Sequence, residues 1–317
     1  MLDEFIWSQK YRPKVVNDCI IPAQLKLTFQ EMLKSKSIPN LLLYGPPGIG
    51  KTTVAKALIE ELESEYLFIN GSLDGNIDTL RHDIRQFASS ISLDGNRKFI
   101  IIDEADYLNA NSTQPALRSF MEEYSKLCGF ILTCNYPRKI IDPLRSRCSS
   151  IQFTFSDKDA EYMKAKMFGR IQHILQAENI KFEAGDVARA VTDYYPDFRK
   201  CINEVQKNSS TGTFVYKPQT SESIKQIYKV LKQSNFNDIR KCVNELVEQG
   251  PENTFKLLYD DLCKVEGSIF KDSSKPDATI ILADYQYKSA FVVDQEINLT
   301  ACLIELAAKC ELRNGTI

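Results

Sequence analysis

An apolar run, Leu41-Leu-Leu-Tyr44, followed directly by Gly45-Pro46-Pro47-Gly48-Ile49-Gly50-Lys51-Thr52, constrains this chain more than any other stretch. The run has the length and composition of a buried parallel strand. The residues after it fit G-x-x-x-x-G-K-S/T. Thr53 to Leu62 then reads as a helix, with Val54, Ala57, Leu58 and Leu62 on one face. Strand, glycine loop and helix arrive in the order a phosphate cradle needs. Gly45, Gly48 and Gly50 let backbone N–H groups turn inward, and the helix N-terminus adds its partial positive charge. Lys51 is placed to reach the β- and γ-phosphates, and the Thr52 hydroxyl to ligate magnesium. The whole loop, with Pro46, Pro47, Ile49 and Thr53, is therefore the candidate nucleotide-binding element. A chain this long matches the pattern by chance roughly once in a hundred tries, and the flanking strand and helix lower that further.

Composition sets the class. A chain of 317 residues, 43% hydrophobic and 26% charged, can build two or three domains with sizeable cores. No apolar run approaches the ~18 residues of a membrane span. Met1-Leu-Asp-Glu-Phe-Ile-Trp7 is acidic and lacks a signal-peptide pattern, so an intracellular protein without a membrane partner is expected. Nine cysteines, scattered without a C-x-x-C pair, argue against a disulfide framework and a zinc ribbon. Cys128 and Cys134 flank an expected core strand and read as small buried hydrophobes. The only histidines, His82 and His173, lie in different regions, which argues against a histidine metal site or a Ser-His-Asp triad. A net charge of −2 supplies no global field for nucleic acid, so any DNA contact must come from a local patch.

Along the chain, Trp7 to Pro13 and Asp18 to Pro22 read as extended segments bracketed by prolines, before a first helix from Gln24 to Lys34. Beyond the cradle helix, strands are expected at Tyr66–Asn70, Phe99–Asp106, Phe130–Asn135 and Ser150–Phe153. Helices at Asp78–Ser90 and Ser112–Tyr124 fall between them. This alternation predicts a parallel five-stranded sheet with its site at the carboxyl ends of the strands. Near Phe155 the pattern changes to helices only: a long one from Ser156-x-x-Asp159 to about Glu178, then Asp186–Tyr194 and Asp197–Lys207. Ser209 to Ser221 is rich in turn formers and reads as a linker. Four or five further helices, interrupted near Ser273-Ser-Lys-Pro276, follow from Ser223.

Asp103 follows an apolar strand, so its carboxylate is expected at the strand tip opposite Lys51. There it can hold a magnesium shell while Glu104 orients or deprotonates a water. Taken alone, an apolar strand ending in Asp-Glu is as readily a structural acid; its place after a phosphate loop gives it weight. Asn135 ends the next strand, where its amide can hydrogen-bond that water or simply terminate the strand. Arg145 and Arg147 follow a proline-initiated turn. Either remains a surface charge of its own domain or reaches a nucleotide bound by a neighbouring subunit, where such a cation is worth ~10³–10⁵ in rate.

Taken together, Trp7-x-x-Lys10-Tyr11-Arg12-Pro13, Gly45–Thr52, Asp103-Glu104-Ala-Asp106, Leu117-Arg-Ser-Phe-Met-Glu-Glu-Tyr-Ser125, Thr133-Cys-Asn135 and Pro143-Leu-Arg145-Ser-Arg147-Cys148 resemble the sliding-clamp loader ATPases. These are the small subunits of replication factor C and their phage counterparts. Tyr195-Pro-Asp-Phe-Arg199-Lys200 is most similar to the large subunit of T-even-type phage clamp loaders. The resemblance covers nearly the whole chain, densely to about residue 205 and loosely beyond. It implies an α/β P-loop AAA+ domain at 1–155, an all-α lid at 156–208, a linker at 209–222 and an all-α collar at 223–317. The collar would join other copies and a companion subunit in a five-membered ring. With ATP and Mg2+ as cofactors, the ring would open a sliding clamp, place it on primer–template DNA and hydrolyse ATP on release.

By position, the resemblance makes Lys51 and Thr52 phosphate and magnesium ligands, Asp103 a magnesium ligand, Glu104 the catalytic base and Asn135 the first sensor. Arg147 becomes the finger acting on a neighbour's ATP, Arg199 the lid sensor, and Tyr11, Arg12 and Ile20 the adenine contacts. Bacterial subunits of this family carry a cysteine-ligated zinc module after the phosphate loop, which this chain lacks. Pro196-Asp197 stands where replication factor C small subunits usually carry Gly-Asp, which favours the phage branch and a host-cytoplasmic location over a nuclear one. Arg81 and Arg85, four apart on one helix face, fall where the family meets DNA phosphates without base specificity. The plain alternative for both is a solvated face. Rival functions are a structural ring member that binds nucleotide without hydrolysis, and another DNA-associated AAA+ motor of helicase-loader type.

Overall fold

The computed structural model describes residues 5–73, 77–90, 96–216, 219–233, 235–248, 251–263 and 268–313, and the chain divides into two compact units, 1–216 and 217–317. In the first unit, α1 (Trp7–Lys10) and α2 (Ala23–Ser35) precede β1 (Leu41–Tyr44) and α3 (Lys51–Glu61). Then come β2 (Tyr66–Asn70), α4 (Ile77–Ser89), β3 (Lys98–Asp103), α5 (Thr113–Glu123), β4 (Cys128–Cys134), α6 (Asp142–Arg145) and β5 (Ser149–Gln152). The strands form one parallel sheet in the order β2-β3-β4-β1-β5. Leu41 to Leu43, Ile100 to Ile102 and Phe130 to Leu132 are fully buried, as apolar strands covered by helices on both faces must be. Because β4 lies between β3 and β1, its carboxyl end emerges between the Asp103 strand tip and the phosphate loop. This order, invisible in the sequence, builds the site.

The stretch from Trp7 to Pro13, expected as extended, instead opens on the short helix α1. Among the boundaries that shift, three do so for clear local reasons. The cradle helix starts at Lys51 rather than Thr53, its N-cap Gly50 being left-handed at φ 93. Strand β3 stops at Asp103 instead of running to Asp106, because Glu104 turns left-handed and opens a short 3-10 turn, Ala105–Tyr107. Strand β4 starts earlier, so Cys128 and Cys134 lie inside it, both buried.

After β5 come α7 (Asp157–Ala177), β6 (Lys181–Phe182), α8 (Ala184–Tyr194), α9 (Phe198–Asn208) and β7 (Thr213–Phe214). Ser156 and Asp159 form a reciprocal capping box that starts α7. The expectation of helices alone is corrected here: β6 and β7 pair in parallel, Lys181 with Thr213 and Phe182 with Phe214. Part of the stretch expected as linker is thus packed structure, with Phe214 and Tyr216 buried in the helical core. Two-residue strands are too short for alternation to register, and their pairing is non-local. Trp7 joins that same core, beside Met163, Ile171 and Phe198, so the N-terminal arm packs on the helices after the sheet.

The second unit holds α10 (Gln219–Gln233), α11 (Phe236–Glu248), α12 (Pro251–Leu262), α13 (Lys275–Ser289) and α14 (Gln295–Lys309). Ile227, Val243, Phe255, Leu258, Leu299 and Leu303 form its core. Asp294 caps α14 by accepting from the Glu296 and Ile297 N–H groups at 2.9 and 3.2 Å. No helix among the described residues is long and apolar enough to cross a membrane.

Candidate functional site

The loop between β1 and α3 turns on two left-handed glycines, Gly48 at φ 75 and Gly50 at φ 93. Gly48 is required twice over, since a Cβ there would lie 1.9 Å from Asp197 Oδ1. Ile49 is buried and anchors the loop in the core, Gly45 N–H donates to Cys134 O at 3.3 Å, and Pro46 and Pro47 are exposed. Lys51 is 7% exposed. Its Nζ donates to Gly45 O at 2.8 Å, Pro46 O at 2.7 Å and Asn135 Oδ1 at 2.9 Å. Burial pushes the Lys51 pKa below its usual value. A partly desolvated ammonium held by neutral acceptors is a site that an anion would stabilise.

The acids meet this ammonium across the strand ends. Thr52 Oγ1 donates to Asp103 Oδ1 at 2.6 Å, and Thr133 Oγ1 donates to the same oxygen. Glu104 sits at φ 55 and ψ 43. That left-handed conformation costs a non-glycine residue about 1–2 kcal/mol. It is held on both sides: Glu104 N–H donates to Thr133 Oγ1 at 3.2 Å, and Gly71 N–H to Asp103 O at 2.8 Å. Hydroxyl and carboxylate oxygens at one point suit a hard divalent cation, so Thr52 and Asp103 fit magnesium.

Other buried polar groups steady this end. Asp106 Oδ2 accepts from Asn135 N at 3.2 Å and Tyr136 N at 3.0 Å, fixing the backbone that carries the Asn135 amide. Gln114 donates to Leu108 O and Lys139 O, each at 3.0 Å, and accepts from Ile141 N at 2.8 Å. It thereby ties the start of α5 to the segment leading to Arg147. Sequence reasoning gave Thr133, Asp106 and Gln114 no role. A polar residue interrupting a core strand, as Thr133 does in Phe130–Cys134, was the available signal.

Tyr11, Arg12, Ile20, the loop from Pro47 to Thr53 except Ile49, Asp103, Glu104, Asn135 and Arg199 line one cavity of about 850 Å³. This is ample for a nucleotide. At its far end, Tyr11 Oη donates to Glu178 Oε1 at 2.6 Å, beside Lys10 Nζ at 2.7 Å. Burial, then this hydrogen bond, raises the Tyr11 pKa; Lys10 and then Tyr11 hold Glu178 below the usual carboxylate range. Arg170 donates to Tyr11 O at 3.3 Å and Asp18 O at 2.8 Å. Asp197 caps α9 by accepting from Lys200 N at 2.9 Å, and Phe198 N–H donates to Gly48 O at 3.1 Å. The first turn of α9, with Arg199, is thereby hydrogen-bonded to the phosphate loop.

Six expected residues lie outside the cavity lining: Gly45, Pro46 and Ile49 of the loop, and Arg147, Arg81 and Arg85. Arg147 Nε donates to Glu122 Oε1 at 2.8 Å, its NH2 pairs with the same oxygen, and its NH1 donates to Pro143 O at 2.6 Å. Arg81 and Arg85 are exposed on α4, Arg81 beside Asp78 at 3.8 Å and Arg85 5.9 Å from the Phe120 ring centre.

Two family models match the chain. That of the ATPase family associated with various cellular activities covers residues 41–155, and that of the sliding-clamp-loader large subunit AAA+ ATPase lid domain covers 159–214. The chain is 42% identical to the sliding-clamp-loader large subunit of Escherichia phage RB69 and 43% identical to that of Enterobacteria phage T4. Each match spans 66% of this chain and 66% of the phage protein, just under two thirds. Over 99% of both chains it is 31% identical to the replication factor C small subunit of Sulfolobus acidocaldarius. The fold is similar to that of a Thermotoga maritima RuvB mutant, with a TM-score of 0.51 and 18% identity over 70% of this chain and 79% of that one. At that identity the likeness concerns fold alone.

Proposed function

This chain belongs to the clamp-loader ATPase family of replication factor C small subunits and phage sliding-clamp-loader large subunits, and from that premise we propose that it is the ATP-hydrolysing motor subunit of a DNA-replication clamp loader. It would couple ATP binding and hydrolysis to opening a sliding clamp and placing it on primer–template DNA. The observation that carries this reading is the convergence of the Lys51 ammonium, the Thr52–Asp103 pair and Glu104 on one cavity at the strand ends.

In this reading the residues divide the work by position. Lys51 binds the β- and γ-phosphates, and backbone N–H groups of the Gly45–Thr53 loop wrap them. Thr52 and Asp103 would hold magnesium, which would supply charge neutralisation. Glu104 takes the proton of the attacking water, and the Asn135 amide, already fixed beside Lys51, orients that water. Arg199 reaches the phosphates from the lid, and Tyr11, Arg12 and Ile20 surround the adenine. Arg147, remote from its own cavity, serves the ATP of a neighbouring copy, exchanging Glu122 for phosphate oxygens. Arg81 and Arg85 meet DNA phosphates. The proposed parts are an AAA+ module at 1–155, a lid after it, and a collar at 223–317 that joins copies and a companion subunit in a five-membered intracellular ring.

The test is steady-state ATPase of the assembled complex with and without clamp and primer–template DNA. A rise that needs both and is lost in Arg147→Ala supports the proposal. A rate raised by DNA but indifferent to the clamp points to another DNA-associated motor. ATP binding without hydrolysis under any condition points to a structural ring subunit.

A further inference from the structure

Thr133 has no task in the chemistry just proposed, yet its hydroxyl is fully engaged. It is 1% exposed at the end of β4, among the apolar side chains of Phe130, Ile131 and Leu132. A buried hydroxyl is costly unless it is hydrogen-bonded, and valine would fill the same space without that requirement. The hydroxyl has two partners, and both belong to the acidic pair. It donates to Asp103 Oδ1 and accepts from Glu104 N–H at 3.2 Å. The sheet order brings this about: Ile102 pairs with Leu132 and Leu43 with Thr133, so Thr133 stands between the tip of β3 and the phosphate loop.

The consequence for each acid is different. Asp103 Oδ1 takes two hydroxyl donors, Thr133 and Thr52, and among the described residues both hydrogen bonds to this carboxylate fall on Oδ1. The group cannot rotate without breaking these bonds, and among the described residues Oδ2 carries no hydrogen bond. Glu104 is held in its left-handed conformation at φ 55, with its N–H bound to Thr133 and its carbonyl so close to Gly71 that a Cβ there would lie 2.6 Å away. Fixing the peptide on both sides sets the direction in which the Glu104 side chain leaves the backbone.

We propose that Thr133 is a positioning residue whose single hydroxyl sets both acids at once: it orients Asp103 toward the divalent cation and holds Glu104 in the conformation from which it serves as base. This rests on reading the cavity as a magnesium–nucleotide site. The experiment uses Thr133→Val and Thr133→Ser in the full assembled complex. ATP affinity is measured by equilibrium binding of a fluorescent ATP analogue, over a magnesium titration and in EDTA, alongside turnover. Thr133→Val is expected to weaken binding in magnesium about tenfold, to raise the magnesium concentration needed, and to lower kcat about 100-fold, as loss of an outer-shell partner does. Its affinity in EDTA is expected to stay within about twofold of wild type, because the Lys51 contacts are untouched. Thr133→Ser, which keeps the hydroxyl, restores magnesium dependence and turnover to within about threefold.

The proposal is overturned if Thr133→Val keeps the wild-type magnesium requirement and turnover. It is also overturned if valine and serine are equally impaired, which would make the methyl group the active feature. Equal losses in EDTA and in magnesium would overturn it too, by pointing to general damage of the cavity. Wild-type protein whose ATP affinity ignores magnesium would instead refute the underlying site reading, a result read before any variant is made.

Discussion

The two ends of the cavity are held by different physics. At the phosphate end the polar groups are buried and joined through short side chains and backbone: Thr133 is 1% and Lys51 7% exposed, and each makes at least two internal hydrogen bonds. At the other end, Tyr11 and Lys10 share Glu178, with the Lys10 and Glu178 side chains 42% and 22% exposed. Buried hydrogen-bonded networks are rigid because a displacement that breaks a bond leaves an unpaired polar group in a low dielectric. Exposed pairs exchange with water at little cost. The Lys51 end is therefore preorganised for charge, whereas the Tyr11 end can adjust to what the cavity holds without losing structure.

The largest effect should come from Lys51→Ala. It removes the ammonium proposed to hold two phosphates, and ATP affinity should fall at least about 100-fold, with turnover abolished. Unimpaired clamp loading by a ring built only from that variant would remove the phosphate-end assignment altogether. Gly48→Ala comes next. A side chain at φ 75 is strained by about 1–2 kcal/mol and must also displace Asp197, so ATP affinity should drop about tenfold. Isothermal titration with ATP measures both variants.

Acidity separates the two ends by sign. Burial depresses the Lys51 pKa in the free protein, and bound phosphate would raise it again. ATP affinity should therefore be full below the free-protein value and decline as pH rises through it, beginning under the ordinary lysine range; titrations at rising pH check this. Glu178 shows the opposite case. Its pKa is lowered by Lys10 and Tyr11, so its contacts persist above that depressed value and are lost only as pH falls through it.

The smallest effect should be that of Tyr11→Phe, which deletes one hydrogen bond while Lys10 keeps Glu178 paired; ATP affinity should change by no more than about threefold. A loss as large as that of Gly48→Ala would show that the adaptable end is as rigid as the phosphate end.

Local pattern determined a good deal here. The apolar runs at Leu41, Phe99 and Phe130 are short, bounded by turn residues and suited to strands buried on both faces, and the glycines of the loop declare a left-handed turn. Asp103 and Lys51 could be placed from those runs, since each stands at the end of one. Other features depend on contacts between residues far apart in the chain. The pairing of Lys181–Phe182 with Thr213–Phe214, the seat of Trp7 among the helices that follow the sheet, and the bonds of Asp106 to the Asn135 backbone have no periodicity to betray them. Thr133 shows the boundary most clearly. Its identity as a polar residue in a core strand is written in the chain, but its partners exist only because β4 is inserted between β3 and β1. Strand identity follows from local burial and backbone preference, whereas strand order is settled by the packing of the whole sheet, and it is strand order that decides which side chains meet.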